Sequence, residues 1–364
     1  MTQTILITGS TGLIGKQILQ LLLTNTNFTI VALIRARDTK ELSARKNSLL
    51  MDVPTCRKPD FSKRLIPIAG DQTKINLGME NRIYNNLRKS ISEIYHCAAL
   101  AEFRRPLKEV RLVNVEGTKN IVHFARGVKK LRKINYISTA FVAGNYSGIF
   151  KECNLNLYQE FNNTYEQSKF EAEVMLRKYS KQLSVVIYRP SIVVGEYRTG
   201  ITNNFRMFYQ PFRTLSLEAF DKIPVNKKTK LNIISCDAVA KAIYLISTNY
   251  HHPSTYHIVS PKSISITKLM NFASEFFCYK QPKFVALEDF KSSKYSPVYR
   301  KMLESYIPYF NFKATFGCKQ TLACLKKLNY VYPEINDQFL GRLFNFCLQS
   351  GYIKKRSGGR LCLT

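Results

Sequence analysis

The chain has 364 residues, a 45% hydrophobic fraction and a formal charge of +30 at pH 7. That is length for two domains and apolar content for packed cores, which excludes a disordered or fibrous chain. So large a positive field attracts anions (nucleic acid, acidic proteins, phosphorylated small molecules or an anionic membrane), although a chain rich in Lys, Asn, Ile, Tyr and Phe also acquires it from base composition alone.

The opening MTQTILITGSTGLIG runs straight into a strand and has neither the basic n-region nor the cleavage site of a signal peptide. No apolar run approaches the ~18 residues of a transmembrane helix. The nine cysteines (56, 97, 153, 236, 278, 318, 324, 347 and 362) include no C-x-x-C pair, so neither a disulfide framework nor zinc spacing is expected. A cytoplasmic protein follows, with peripheral membrane contact left open.

Apolar runs TILITG (4–9), FTIVALI (28–34), LIPIAG (65–70), EIYHCAA (93–99), INYISTA (134–140) and SVVIYRP (184–190) are predicted strands. Helix-period segments separate them, among them LIGKQILQLLLT (13–24), Pro106 to Arg126 and Thr164 to Tyr179. Continuous rather than alternating apolar strands imply a parallel sheet covered on both faces, hence a doubly wound α/β domain. Residues 1–195, with a further strand and helix at about 228–248, form this domain. Residues 196–227 and 249–364 form a smaller, mostly helical substrate domain, with breaks expected at Pro282, Pro297, Pro308 and Pro333 and a solvated basic tail KKRSGGR (354–360).

Gly9, Gly12 and Gly15 follow the first strand and open the first helix, spaced G-x-x-G-x-x-G. There the backbone N–H groups of Thr11, Gly12, Leu13 and Ile14 and the positive helix end can hold a pyrophosphate. Gly9 lets the chain turn, Gly12 lets it approach phosphate, and Gly15 lets helix and strand pack. This is the dinucleotide turn of a Rossmann fold. At ~20 residues past the last glycine, where an acid would hold the ribose of NAD, the chain reads Leu33-Ile34-Arg35-Ala36-Arg37. Arg35 and Arg37, with Arg45 one to two turns on, suit a 2′-phosphate and favour NADP(H); Asp38 is the nearby competing acid.

Tyr165 and Lys169 stand four residues apart on one helix face, and an ammonium beside a phenol favours its ionisation. Tyr136-Ile137-Ser138-Thr139 ends a buried strand in hydroxyls at the carboxyl edge, where open sheets bind ligands. His96, in an apolar strand, reads as a core histidine, and His251-His252 has no metal-ligand partner at suitable spacing.

In chain order, Gly9/Gly12/Gly15, Asp71, His96-Cys97-Ala98-Ala99, Asn114 to Thr118, Ser138-Thr139-Ala140, Tyr165/Lys169 and Arg189 to Gly195 resemble the extended short-chain dehydrogenases/reductases. The resemblance spans residues 5 to about 200, and the segments HCAA, STAFV, NTYEQSKFEAE and RPSIVVG are most similar to the thioester-reductase and fatty acyl-CoA reductase branch. It implies that Tyr165 protonates the carbonyl oxygen, that Lys169 binds the nicotinamide ribose and lowers the tyrosine pKa, and that Thr139 orients the substrate oxygen. Asn114 would support the lysine and a water, or merely kink its helix. Asp71 would face the adenine, or alternatively close a turn, and Gln72 beside it would contact the cofactor; Ala98 and Ala99 would leave room for the adenosine. Pro190, Ser191 and Ile192 would flank the nicotinamide.

The implied reaction is NADPH-dependent reduction of an acyl thioester, on coenzyme A or an acyl carrier protein, to aldehyde or alcohol. Phe205, Met207, Phe208, Tyr209 and Phe212, interleaved with Arg206 and Arg213, either line an acyl channel or pack the two domains together. A ketone or aldehyde reductase, a sugar-nucleotide epimerase and a non-catalytic NADP-binding scaffold remain alternatives on the same residues. Arg35 and Ala140-Phe141 count against the sugar-nucleotide enzymes. A homodimer is a further expectation, and no nucleic-acid motif is found.

Overall fold

The computed structural model of the chain describes residues 3–51, 55–218, 220–291, 301 and 303–354; Pro297, Cys362 and the basic tail after Lys354 lie outside them. Seven parallel strands form the central sheet: β1 (Thr4–Thr8), β2 (Thr29–Ile34), β3 (Leu65–Ala69), β4 (Ile91–His96), β5 (Lys133–Ile137), β6 (Val185–Pro190) and β7 (Ser254–Ile258). Their spatial order is 3-2-1-4-5-6-7. Connections leave β1 in one direction and β4 in the other, so a crevice opens beyond the carboxyl ends of these two strands. Every residue of β5 and β6 is buried, the double-sided burial that their unbroken apolar runs imply.

Helices α1 (Leu13–Asn25), α2 (Thr39–Leu50) and α8 (Cys236–Asn249) cover one face of the sheet. The other face carries α3 (Asn81–Ser90), α5 (Gly117–Arg126) and α6 (Thr164–Lys178). In α1 the buried set Gly15, Ile18, Leu19, Leu22 and Leu23 repeats at helical spacing. A short helix α4 (Leu107–Arg111) reaches α5 through a π-helical turn, Leu112–Glu116, that contains Asn114. Two of these helices start on side-chain caps: Asp38 accepts from the Glu41 N–H at 2.7 Å, and Asn163 from the Glu166 N–H at 3.0 Å.

A separate aromatic core joins α7 (Tyr209–Leu215), α9 (Ile266–Phe277) and α11 (Asp337–Gln349) to Phe141 and Phe150. The last third departs from its expected reading in two ways. Residues 249–364 do not all lie apart from the sheet, because Ser254–Ile258 is its edge strand; α10 (Lys319–Lys327) also packs there, Leu325 joining the core of the α1 face. The Ser-Thr-Tyr-His composition of that strand hides it from an apolar-run criterion. Pro308 does not break a helix but sits in the first turn of one, Ile307–Phe310, where its missing N–H costs nothing.

A fully buried ion pair fastens α6 to β6. Arg189 Nη2 donates to Glu173 Oε2 at 2.7 Å and Nε to Oε1 at 3.0 Å, both side chains having no exposed surface. Ser138 donates to the same carboxylate at 2.5 Å. Removing one partner leaves a buried charge, so Glu173→Leu is expected to lower stability by about 3–5 kcal/mol, read from urea unfolding followed by far-UV circular dichroism.

Candidate active site

At the carboxyl end of β1 the chain turns at Gly9, whose φ is +69°, and a Cβ there would lie 2.5 Å from the Ala98 nitrogen. A Cβ on Gly15 would lie 2.2 Å from the Gly9 carbonyl oxygen. Only hydrogen fits at either place. Gly12 caps α1 without a side-chain bond, leaving its first N–H groups open toward a cleft of about 270 Å³. Of the expected cofactor residues, Gly9, Thr11, Gly12, Arg35, Arg45, Asp71, Gln72, Ala98 and Ala99 line it. Leu13, Ile14 and Gly15 stand behind it as the first turn of α1. An adjoining cleft of about 430 Å³ shares Arg35, Arg45 and Asp71 and adds Arg37.

Two buried polar atoms at this crevice, Ser10 Oγ and Gln72 Oε1, have no partner among the described residues, as expected of groups that await a polar ligand. Arg35 is exposed and makes no ion pair among the described residues. Arg37 and Arg45 both reach Glu41, at 3.2 and 2.9 Å, with the Arg37 side chain 90% exposed. Asp71 faces the cleft and also closes a turn, its Oδ1 accepting from the Thr73 N–H and hydroxyl at 2.9 and 2.8 Å. Asp38, engaged as the α2 cap, does not line either cleft.

Across the crevice, Lys169 is buried and donates to the Ile137 carbonyl at 2.7 Å, its ammonium 4.1 Å from the Tyr136 ring centroid. Burial pulls its pKa down to about 7, against the opposing pull of Glu173 and then Cys97. Burial pushes the Tyr165 phenol well above its ordinary value, Glu166 adds to this, and a bond with Thr139 opposes it. Thr139 caps a short helical turn by accepting from the Phe141 N–H at 3.2 Å. Thr139 and Tyr165 thus meet where β5 ends and α6 begins, whereas the Lys169 ammonium is held on the Ile137 carbonyl and, among the described residues, is not among the groups that shift the Tyr165 phenol.

Asn114 touches neither Tyr165 nor Lys169 through a side-chain hydrogen bond. Its amide clamps Leu100, accepting from the N–H at 2.7 Å and donating to the carbonyl at 3.1 Å, and donates to Ser168 at 2.9 Å. Ser191 donates to Asn232 at 2.7 Å, so its hydroxyl is engaged in bracing the chain after β6, where Pro190 is buried and Ile192 starts a short strand against Ile233–Ser235. His96 is fully satisfied by Thr8 at 2.7 Å and Thr118 at 3.0 Å, and burial holds it near pKa 3. His251 lies against Lys133 and Arg132. No group of three metal-ligating side chains occurs among the described residues.

Sequence reasoning missed Glu173, Arg189 as its partner, and Tyr309. The Tyr309 hydroxyl donates to Glu166 at 2.5 Å, and its ring stacks on Phe103, which in turn lies 6.3 Å from the Tyr165 ring. A third cleft, about 390 Å³, opens between Ala101–Arg105, Arg206–Gln210 and Ser305–Tyr306. Arg104, Arg105 and Arg206 line it with one acid, Glu102. Phe208, Tyr209 and Phe212 are core residues packed with Phe344 and each other.

Residues 7–243 match the family described as male sterility protein (NAD_binding_4). The chain is 28% identical over 315 residues to the fatty acyl-CoA reductase wat of Drosophila melanogaster, a match covering 75% of this chain and 61% of that protein. The chain therefore spans less than two thirds of that relative's length. Its fold is similar to the terminal R domain of a myxalamid PKS-NRPS pathway (TM-score 0.82, 24% identity, 97% of this chain and 92% of that one). It is also similar, at TM-score 0.67 and 18% identity, to a UDP-glucuronic acid 4-epimerase from Bacillus cereus solved with NAD, over 96% of this chain and 99% of that one.

The glycine turn yields a direct test. In Gly15→Ala the new methyl collides with backbone rather than with a movable side chain, so dinucleotide affinity is expected to fall by more than about tenfold, measured by NADPH fluorescence titration.

Proposed function

The chain belongs to the male sterility protein family of extended short-chain dehydrogenases/reductases, and from that premise we propose that it reduces acyl thioesters, carried on coenzyme A or an acyl carrier protein, with NADPH. The observation that carries this reading is the bond between Tyr165 and Thr139, with Lys169 one turn along the same helix, near the sheet edge where Ala98 and Ala99 line the glycine-turn cleft and Ala101 to Arg105 line the arginine-rich one. The first cleft suits a dinucleotide and the second suits a phosphate-bearing carrier arm.

Bound reduced nicotinamide supplies a hydride to the thioester carbonyl carbon. The protein's part is to hold the oxygen and deliver a proton to it. The Tyr165 phenol, kept protonated by burial, is the acid, and the Thr139 hydroxyl beside it orients the oxygen. The resulting hemithioacetal loses its thiol as the C–S bond breaks, giving aldehyde and free carrier; a second round gives alcohol. Lys169, whose ammonium rests on the Ile137 carbonyl, would be the donor for the nicotinamide ribose once a dinucleotide is bound. The exposed guanidinium of Arg35, with no ion pair among the described residues, supports NADPH over NADH, with Arg45 second, and Asp38 is committed to its helix.

Tyr165→Phe is expected to lower kcat by about 10²–10⁴-fold while NADPH still binds, read as NADPH oxidation with acyl thioesters, aldehydes, ketones and sugar nucleotides supplied in turn. Loss confined to thioesters supports the proposal; loss confined to another class overturns it. Arg35→Asp is expected to shift the ratio of kcat/KM from NADPH toward NADH by at least about tenfold.

The lysine sets a pH limb. Its pKa near 7 lies below the ordinary lysine value, so its ammonium is present below that pH and lost above it. kcat/KM for the dinucleotide is expected to fall as pH rises through about 7, and Lys169→Met to remove the limb. The same shift makes Lys169 oppose folding at low pH, a cost relieved as pH rises from about 7 toward the unfolded value.

A further inference from the structure

Glu166 follows Tyr165 on α6 and is fully buried, yet it takes no part in the chemistry above. Three donors converge on its carboxylate. Oε1 accepts from the Tyr309 hydroxyl at 2.5 Å, and Oε2 accepts from the Asn162 N–H and from Asn162 Nδ2, both at 3.0 Å. The Tyr309 oxygen accepts in turn from Asn163 Nδ2 at 2.7 Å, and Asn163 Oδ1 accepts from the Glu166 N–H at 3.0 Å. Asn163, Tyr309 and Glu166 thus form a closed cycle in which each donates to the next. An ionised carboxylate is acceptor-only and satisfies all three donors, whereas a protonated one needs an acceptor for its own hydrogen. The Tyr309 oxygen can serve only by turning its own hydrogen away, and that hydroxyl has no second acceptor among the described residues. Protonation therefore costs the cycle one bond.

The cycle bridges the segments that hold the reacting hydroxyls. Tyr309 belongs to the short helix Ile307–Phe310 in the last third of the chain. Its hydroxyl grips the first turn of α6, beside Tyr165. Its ring stacks on Phe103 at 5.6 Å and lies edge-on, at 5.4 Å, to Phe141 in the turn that Thr139 caps. One tyrosine thus touches the supports of both Tyr165 and Thr139.

The titratable groups facing Glu166 are Tyr165 on its own helix and Tyr309 from the last third. The loop before α6 presents the amides of Asn162 and Asn163. Arg105, whose carbonyl accepts from Thr164, turns its guanidinium to Glu102 and Glu109, and no cation pairs with Glu166 among the described residues. Burial pushes the Glu166 carboxyl up to about 7, against the hydrogen bonds of Tyr309 and then Asn162.

We infer that Glu166 and Tyr309 are positioning residues for the proton donor: the ionised carboxylate locks the Tyr309 segment onto the start of α6, which holds Tyr165 against Thr139, and its protonation opens the lock. The inference rests on the reductase reading for what Tyr165 does and goes beyond it in naming what holds that residue in place.

The cycle is closed above about 7 and open below it, so kcat at saturating NADPH is expected to rise as pH rises through about 7. Because the Tyr309 hydroxyl lowers the Glu166 value, Tyr309→Phe, which keeps the ring and deletes one oxygen, is expected to move that rise to higher pH. Glu166→Gln, with one oxygen for three donors, is expected to flatten the profile and lower kcat at least about fivefold. A merely structural role lowers kcat evenly across pH. Unfolding gives a readout that needs no turnover. Between its ordinary value of 4.5 and about 7, native Glu166 holds a proton that the unfolded chain releases, so the stability it contributes is lost as pH rises toward about 7. From urea titrations of the full chain between about pH 5 and pH 7, the unfolding constant is expected to rise about tenfold per pH unit more steeply in the wild type than in Glu166→Gln. Tyr309→Phe is expected to extend the steep range upward. Equal steepness in wild type and Glu166→Gln, or a kcat profile that Tyr309→Phe leaves in place, overturns the inference. Unfolding slopes that differ as expected without turnover of any thioester, aldehyde or ketone leave the lock standing and remove the reductase reading. Turnover whose kcat is flat through pH 7 in the wild type does the opposite.

Discussion

One buried carboxylate serves two buried cations, and the geometry of the active site depends on that shortage. Glu173 lies one helical turn beyond Lys169 on α6 and holds Arg189 through Nε and Nη2. Two positive charges against one negative in a dry interior leave the lysine under-compensated, and burial then pulls its proton affinity down. Its ammonium is parked on the Ile137 carbonyl and the Tyr136 ring, both on β5. The guanidinium meanwhile contacts His257 on β7 at 3.1 Å and lies 5.5 Å from the Phe150 ring. A change at Arg189 would therefore be felt at three strands and at the helix that carries Tyr165. Such a pair adds little net stability over well-packed apolar residues, and its value here is that it fixes one position for α6.

The acids that tie the last third of the chain to the sheet follow the same logic. Glu152 accepts from the Gln320 N–H at 2.8 Å and the Thr321 N–H at 3.0 Å, so it caps α10 from the opposite side of the sequence. Glu166 accepts from Asn162 and from Tyr309. A chain with only 25 acidic residues against 55 basic ones buries Glu93, Glu152, Glu166 and Glu173. Lys133, Lys169 and Arg189 are buried with them, so the four acids are withdrawn largely as partners of buried cations and the surface keeps nearly the whole of the chain's positive excess.

Six of the seven central strands and the glycine turn are legible in the sequence because each is a local signal: a continuous apolar run, a fixed spacing, a helix start. Thr139, Tyr165 and Lys169 are legible for the same reason, standing at the end of one element and the first turns of another. β7 is not, since Ser254, Thr255 and His257 are polar and an edge strand needs only one neighbour. The Arg189–Glu173 pair joins residues 16 apart on different elements, and the Glu152 cap joins residues 169 apart; no periodicity encodes either. Asn114 was legible as a polar helix residue but not in its contacts, because the π-helical turn around it rotates its amide toward Leu100 and Ser168.

That π-helical turn lets the two halves of the site hold each other rigidly. The Ala98 N–H donates to Thr8, whose hydroxyl donates to His96 Nδ1. Because the Thr118 hydroxyl donates to the Asn114 carbonyl at 2.6 Å, it can only accept from His96 Nε2, which fixes the tautomer. Asn114 then donates to Ser168, and Ser168 to the Tyr165 carbonyl at 2.8 Å. Every hydroxyl in this relay accepts once and donates once, so no member can turn without leaving a buried group unpaired. With His96 held neutral by burial, the relay keeps one direction at any pH the protein experiences near neutrality. The residues that contact the glycine turn and the helix that bears Tyr165 are thus positioned against each other before any ligand arrives.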